Sequence, residues 1–291
     1  MRAMIARILL AFVLLALGVL VALPAAQAQR DGNRDRDRGF ELDFSNDREI
    51  KPRLSGREPT AGLLFDADSG DVLWSRKARG ERPIASLTKV MSALVAVDKL
   101  DPRDDVKISS GAAAAPPVTI GLKGGTKVPA ETLLEGMLVA SGNDAAVALA
   151  EGAEGSTRKF VREMDRHARE LDLDCTSFDT PSGLSPDDRS CPEDLAELSV
   201  LALEENRIAR VVRQRKAKLD LPGRGKVKLS ATNPLLRERY KGTIGLKTGF
   251  TNAAGRCLIA VVKRGGEMLV AILLDSPDTG RQAKELFGEA R

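Results

Sequence analysis

Two apolar runs near the C-terminus, CLIAVV (257–262) and EMLVAILL (267–274), are separated by Lys263-Arg264-Gly265-Gly266. Short apolar runs of this kind that flank a glycine turn predict two strands of a hairpin. The preceding GTIGLKTG (242–249) reads as a third strand. At the other end of the domain, AGLLFDADSGDVLWSRK (61–77) predicts a strand, a turn at Ser69-Gly70 and a second strand. Helical patterns fill the middle. They are a run opening at Arg82, residues 131–140 and 143–151, the amphipathic 156–171, and 192–205 with Pro192 at its start. Residues 172–190, rich in Asp, Ser, Pro and Gly, predict a loop, and a terminal helix starts near Gly280. Strands at both ends with helices between them predict an α+β fold. One antiparallel sheet is assembled from the two chain ends, flanked by helices, with an all-helical insertion.

The ends of the chain bound where it works. MRAMIARILLAFVLLALGVLVALPAAQA has the basic start, apolar stretch and small-residue cleavage site of a secretory signal peptide, cut after Ala28. The expected mature protein is therefore exported, with no stable membrane anchor after cleavage. Residues 29–58 carry eight basic and eight acidic side chains and few apolar ones, which predicts a disordered charged tether. The formal net charge of +4 falls by two when Arg2 and Arg7 leave with the signal, and aromatics are 3% of the chain. Both argue against a nucleic-acid partner. Three cysteines and one histidine show no metal-ligand spacing, so neither a metal nor a cofactor is expected. In an exported compartment Cys175 and Cys191 either close a ring of roughly 17 residues, worth about 3 kcal/mol in the chain-entropy model, or stay free. Cys257 lies in an apolar strand and reads as a small buried hydrophobe. His167, in the charged run MDRHARE, reads as a surface residue.

The chemistry concentrates in RPIASLTKVMSAL (82–94). The helix it predicts is apolar nearly all round and so is buried. Ser86 and Lys89, three residues apart, share a face. Desolvation disfavours an ammonium, and a neutral amine beside a hydroxyl is a general base beside a nucleophile. The spacing alone is a weak signal, because a capping serine and a lysine reaching for solvent give the same pattern. The sequence contains a second copy, Ser156 and Lys159, which heads a polar helix and reads as a cap. Two further segments add weight. In MLVASGNDAAVAL (137–149), Ser141-Gly142-Asn143 forms a polar turn between helices. In TIGLKTGFTNAAGRCLIAVV (243–262), Lys247-Thr248-Gly249 ends a strand, and Gly249 is expected to let a bound peptide approach the backbone closely.

SxxK, SxN and KTG in this order are the active-site set of penicillin-binding proteins and serine β-lactamases. With TPSGL, CPEDLAELS and ATNPLL added, the chain resembles the low-molecular-mass D-alanyl-D-alanine carboxypeptidases from about residue 60 to 280. The resemblance implies a β-lactamase/transpeptidase-like fold and a serine DD-peptidase domain over 59–291. It also implies roles. Ser86 is the acylated nucleophile and Lys89 its base. Ser141 relays a proton, and Asn143 holds Lys89 and the substrate carbonyl. Lys247 and Thr248 bind the terminal carboxylate. The backbone N–H groups of Ser86 and Phe250 form the oxyanion hole. The implied partners are peptidoglycan stem peptides ending in D-Ala-D-Ala, with β-lactams as covalent inhibitors. Larger members carry a second domain and an amphipathic C-terminal anchor; the stretch from Phe250 to Arg291 has room for two strands and a helix, so neither is expected. Thr180 stands where the family often has Asn, and Phe250 gives an aromatic rim after KTG. A DD-endopeptidase remains an alternative. A class A β-lactamase is disfavoured, because DTPSGLSPDD lacks the glutamate such enzymes use and SGN replaces SDN. A non-catalytic wall-binding protein is disfavoured by the intact set.

Overall fold

The computed structural model describes residues 40–290; the expected signal peptide lies outside them. Strands β1 (Ala61–Asp66) and β2 (Val72–Arg76) come first. Three short ladders follow in the middle of the chain: β3 (Arg82–Pro83) with β6 (Arg189–Ser190), β4 (Asp105–Lys107) with β5 (Lys127–Pro129), and β7 (Lys216–Leu221) with β8 (Gly225–Ser230). Strands β9 (Thr243–Thr251), β10 (Gly255–Arg264) and β11 (Glu267–Leu274) close the set. The main sheet is five-stranded and antiparallel in the order β2-β1-β11-β10-β9. Its central seam joins the two ends of the domain, with Ala61 opposite Leu274 and Asp66 opposite Leu269.

The alternation of strand side chains explains why these runs are apolar throughout. Leu63, Phe65, Ile259, Val261, Val270 and Ile272 face the large helical core, while Leu64, Leu258, Ala260, Leu269 and Ala271 face a second cluster. A strand buried on both faces needs no polar stripe. The helices of the body are α1 (Lys89–Lys99), α2 (Ser110–Ala113), α3 (Ala130–Val139), α4 (Asn143–Glu154), α5 (Thr157–Glu170), α6 (Pro192–Glu204) and α7 (Asn206–Val212). After them, α8 (Pro234–Arg237) and α9 (Thr279–Glu289) cover the opposite face, where Leu235, Leu286 and Phe287 seal the second cluster. Helix α1 runs through the middle and packs on α4, α5 and α6. The insertion is helical in its body and also carries the short ladders, which helical periodicity passes over.

The charged segment departs from its expected role as a free tether. From Phe40 onward it lies on the domain. The Phe40 ring stands 5.5 Å from that of Phe65, and Ile50 and Leu54 pack into the second cluster. Val72 N–H donates to Asp43 O at 2.9 Å and Ile50 N–H to Leu73 O at 2.7 Å, so the segment covers the β2 edge. Arg48 pairs with Asp66, Asp71 and Glu267, and Gln282 Nε2 donates to the carbonyls of Ser55 and Arg57. Charges that look self-balancing along the chain find partners distant in sequence. Cys175 and Cys191 form a disulfide, with Cα atoms 5.7 Å apart, that ties the loop after α5 to the start of α6. Cys257 is buried, and burial pushes its thiol up to about 11. Among the described residues no helix is long and apolar enough to cross a membrane.

Candidate active site

Ser86 lies in a 3-10 turn, Ala85–Thr88, that leads directly into α1, so Lys89 is the first residue of the α-helix proper. Ala85 adopts φ +50, a left-handed conformation uncommon for a residue with a side chain, and thereby tips the turn toward the sheet. Strand β9 packs against it. A Cβ on Gly249 would stand 2.9 Å from Ile84 O and 3.0 Å from Ser86 N. The close approach that requires glycine here is that of the serine turn itself, where the sequence reading assigned it to a bound peptide.

Lys89 is 0% exposed, and its Nζ has three partners. It lies 2.9 Å from Ser86 Oγ and 2.8 Å from Asn143 Oδ1, and it also donates to Ser182 O. Burial holds the Lys89 ammonium well below the ordinary lysine range. The nearby Lys247 charge pushes the same way, while Asp188 and Asp144 oppose both. Asn143 opens α4, and its Nδ2 donates to Pro116 O at 3.0 Å, which orients the amide so that Oδ1 faces the lysine. The next residue, Asp144, accepts from the N–H groups of Ile120, Gly121 and Leu122 and so pins the 116–122 loop beside the cleft.

Lys247 reaches across from β9. Its Nζ donates to Ser141 Oγ at 2.8 Å and to Thr248 O at 2.9 Å. It is 1% exposed, and burial brings its pKa down to about 7. Ser141 sits at φ +63 in the α3–α4 turn, a second left-handed residue at the same cleft. Thr248 Oγ1 donates to Thr232 Oγ1 at 2.6 Å, and Phe250 is 62% exposed at the rim. All eight residues singled out from the sequence therefore gather at one cleft between β9, the serine turn and the start of α4.

Four residues that shape this cleft have no stated role in the sequence reading. Ser182 presents its carbonyl to Lys89 Nζ and, at 3.3 Å, to Ser86 Oγ. Its loop is held by Asp188, a fully buried carboxylate that accepts from the N–H groups of Asp179, Thr180 and Ser185 and from Thr180 Oγ1. Gly183, at φ +82, lies so close that a Cβ there would stand 2.0 Å from Ala85 O. The segment TPSGL carried the signal for Ser182 and Gly183, since a glycine between polar loop residues marks a left-handed turn. Nothing local separates Asp188 from its exposed neighbour Asp187. Asn233, in ATNPLL, is buried and donates from Nδ2 to Gly245 O at 2.8 Å, which braces β9 behind Lys247. His167 is half-buried on α5, with Nδ1 3.0 Å from Glu163 O, and takes no part in the cleft.

Known proteins resemble this chain in sequence and fold. The family model for the peptidase family S11, D-alanyl-D-alanine carboxypeptidase, matches residues 55–278. The D-alanyl-D-alanine carboxypeptidase DacF of Bacillus subtilis is 31% identical over 271 residues, covering 91% of this chain and 65% of the relative. A D-alanyl-D-alanine endopeptidase of Haemophilus influenzae is 32% identical over 209 residues, covering 69% of each chain. The crystal structure of a D-alanyl-D-alanine carboxypeptidase from Mycobacterium tuberculosis H37Rv superposes with TM-score 0.76 at 32% identity, covering 82% of this chain and 95% of that one. On the family match and these relatives together, the chain belongs to peptidase family S11, the D-alanyl-D-alanine carboxypeptidases.

Proposed function

We propose that this chain is an exported serine-type carboxypeptidase that removes the terminal D-alanine from peptidoglycan stem pentapeptides. One observation carries the reading: the partner set of Lys89 Nζ. A neutral amine has two N–H bonds and one lone pair. Ser182 O and Asn143 Oδ1 are pure acceptors and take the two N–H bonds. The lone pair is left for the third partner, the Ser86 hydroxyl 2.9 Å away, which can turn its proton from Ser182 O to the amine. Burial pushes the amine toward that form.

In this scheme Ser86 Oγ attacks the carbonyl carbon of the penultimate residue as its proton passes to Lys89 Nζ. The oxyanion develops at the N–H groups of Ser86 and Phe250. The scissile C–N bond then breaks, the leaving amine takes the Lys89 proton by way of Ser141 so that Lys89 is neutral again, and the acyl group stays on Ser86 as an ester. Water activated by Lys89 hydrolyses that ester. Lys247 and Thr248 receive the substrate's terminal carboxylate, and Asn143 orients both Lys89 and the substrate amide. A β-lactam acylates the same serine. Among the described residues no glutamate is a hydrogen-bond partner of Ser86 or Lys89, which supports a slowly hydrolysed β-lactam adduct over a lactamase. The likeness to an endopeptidase keeps cross-linked peptides as the second substrate class.

The test is mass spectrometry after penicillin treatment, paired with assay of D-alanine release from a pentapeptide. The expected result is one adduct on Ser86 and release of one D-alanine. An adduct elsewhere, or pentapeptide left intact by a protein that labels fully, overturns the reading. Faster cleavage of cross-linked muropeptides than of pentapeptides selects the endopeptidase.

A further inference from the structure

The hairpin β7–β8 pairs with no strand of the main sheet. Its inner side chains, Ala217, Leu219, Leu221 and Leu229, are buried where it packs on α3. Its outer positions are Lys216, Lys218 and Asp220 on β7 and Lys226, Lys228 and Ser230 on β8, all exposed. The register places Lys218 directly opposite Lys228. Like charges in that position destabilise a sheet. Among the described residues no cation from Arg215 to Lys228 comes within ion-pair distance of a carboxylate, whereas Arg207 and Arg210 on the adjoining helix α7 are both paired with Glu131. Six cations from Arg215 to Lys228 stand against the lone Asp220, in a chain whose net charge is +4. A surface arranged only for solubility intersperses the two signs.

The position of the strip is specific. At its base, Arg215, Lys216 and Ser230 line a cavity of about 440 Å³ with Thr232 and Arg237, and Thr232 is hydrogen-bonded to Thr248 of the cleft. At its tip, the Arg224 guanidinium fills the space that a side chain on Gly121 would occupy, in the loop that Asp144 pins beside Asn143. The strip therefore runs along one flank of the cleft, from the Thr248 end to the 116–122 loop.

We propose that the β7–β8 hairpin is a docking strip for the polymeric substrate, holding a peptidoglycan strand by the free carboxylates of its stem peptides while one stem enters the cleft. This rests on the function proposed above. An anionic membrane fits less well, because interfacial elements combine basic residues with inserted aromatic or leucine side chains, and the outer face of this hairpin has none.

The experiment compares D-alanine release from intact insoluble peptidoglycan with release from a soluble acyl tripeptide ending in D-Ala-D-Ala. It uses the full chain and the variants K218E and K218E/K228E. The double variant keeps like charges opposite each other, whereas K218E places Glu opposite Lys and removes the repulsion. On the polymer, the apparent KM of K218E/K228E is expected to rise about tenfold, as for a lost electrostatic docking surface. Raising salt from about 50 to about 500 mM is expected to weaken the wild type similarly by screening. The tripeptide should change by less than about twofold. K218E should weaken polymer turnover while its melting temperature stays level or rises, a split that a purely structural role does not produce. Equal turnover of polymer by wild type and K218E/K228E overturns the proposal. So does binding of phosphatidylglycerol vesicles that the variants lose while polymer turnover is untouched. If the wild type releases D-alanine from neither substrate, the functional reading fails instead, and co-sedimentation with peptidoglycan still reports on the strip.

Discussion

Ser-x-x-Lys occurs twice in this chain, and the two copies do different things. At the head of α5, Ser156 has extended backbone, φ −164 and ψ 150, and its Oγ accepts the Lys159 backbone N–H at 3.3 Å. The Lys159 side chain is exposed. At the head of α1, Ser86 makes no capping bond, and its Oγ faces the Lys89 amine itself. Residue types and spacing are identical, so neither decides the chemistry. Surroundings do. Helix α5 buries only Phe160, Met164 and Ala168 and leaves its other faces to Arg and Glu, whereas α1 is enclosed by α4, α5, α6 and the Ser182 loop. A lysine in water keeps its proton, whereas burial and a second cation nearby push Lys89 toward its neutral form.

The largest expected effects test that contrast directly. Ser86→Ala should abolish labelling by a fluorescent penicillin, and Ser156→Ala should leave it intact. Lys89→Ala should slow acylation by about 10² to 10⁴, the range for a lost general base, and Lys159→Ala should leave the rate as it is. Comparable losses at both sites would break the comparison, because position in the sequence motif would then matter and burial would not.

Next in size is a residue that serves only the first copy. Asp188→Ala removes the acceptor of three backbone N–H groups and the Thr180 hydroxyl, all in a part-buried loop. Stranded buried donors cost about 1–3 kcal/mol each before relaxation, so a net loss of about 3 kcal/mol in chemical denaturation is expected. Acylation should slow as well, since the Ser182 carbonyl no longer holds Lys89. Asp188 also shows where sequence reading stops. The main strands were legible because burial on both faces leaves runs such as LIAVV without polar interruption. The cleft was legible because SxxK, SGN and KTG each keep their chemistry within a few residues. Asp188 acts through groups three to nine residues away, which a folded loop brings together, and its neighbour Asp187 has the same local sequence context. Arg48 is similar, since its partners Asp66, Asp71 and Glu267 lie 18, 23 and 219 residues away in sequence. The β7–β8 hairpin also carries a period-two signal in KAKLDL, with every second residue buried, although no element is assigned there from the sequence.

Burial of an amine also has a signature in stability. The Lys247 pKa falls from 10.5 to about 7 on folding. Between those values the unfolded chain holds a proton that the folded chain does not, so stability rises with pH across that window. The penalty is fully present below about pH 7 and is relieved as pH climbs toward 10.5. Lys89 is shifted in the same direction and contributes with the same sign. Lys247→Met should therefore flatten the pH dependence of the melting temperature between 7 and 10. It should also raise stability at pH 7 by about 1–2 kcal/mol while recognition of a substrate carboxylate is lost, the usual exchange between stability and function at a charged cleft. A steeper slope in the variant would contradict the burial argument for both cleft lysines.

The smallest effect belongs to the second copy and sharpens the contrast most. A serine that caps a helix contributes about 1 kcal/mol, and Ser156 heads the helix that carries Phe160 and Met164 into the core. Ser156→Ala should lower stability by about that amount and leave penicillin labelling per folded molecule at the wild-type level. Ser156→Asp should restore the loss, because a carboxylate also accepts the Lys159 N–H and favours a helix N-terminus. Ser86→Asp should restore nothing, since a carboxylate beside Lys89 forms an ion pair and offers no proton to transfer. If aspartate rescued both positions, Ser86 would be a cap like Ser156. If it rescued only Ser156, one spacing would serve a backbone amide at one helix end and a side-chain amine at the other.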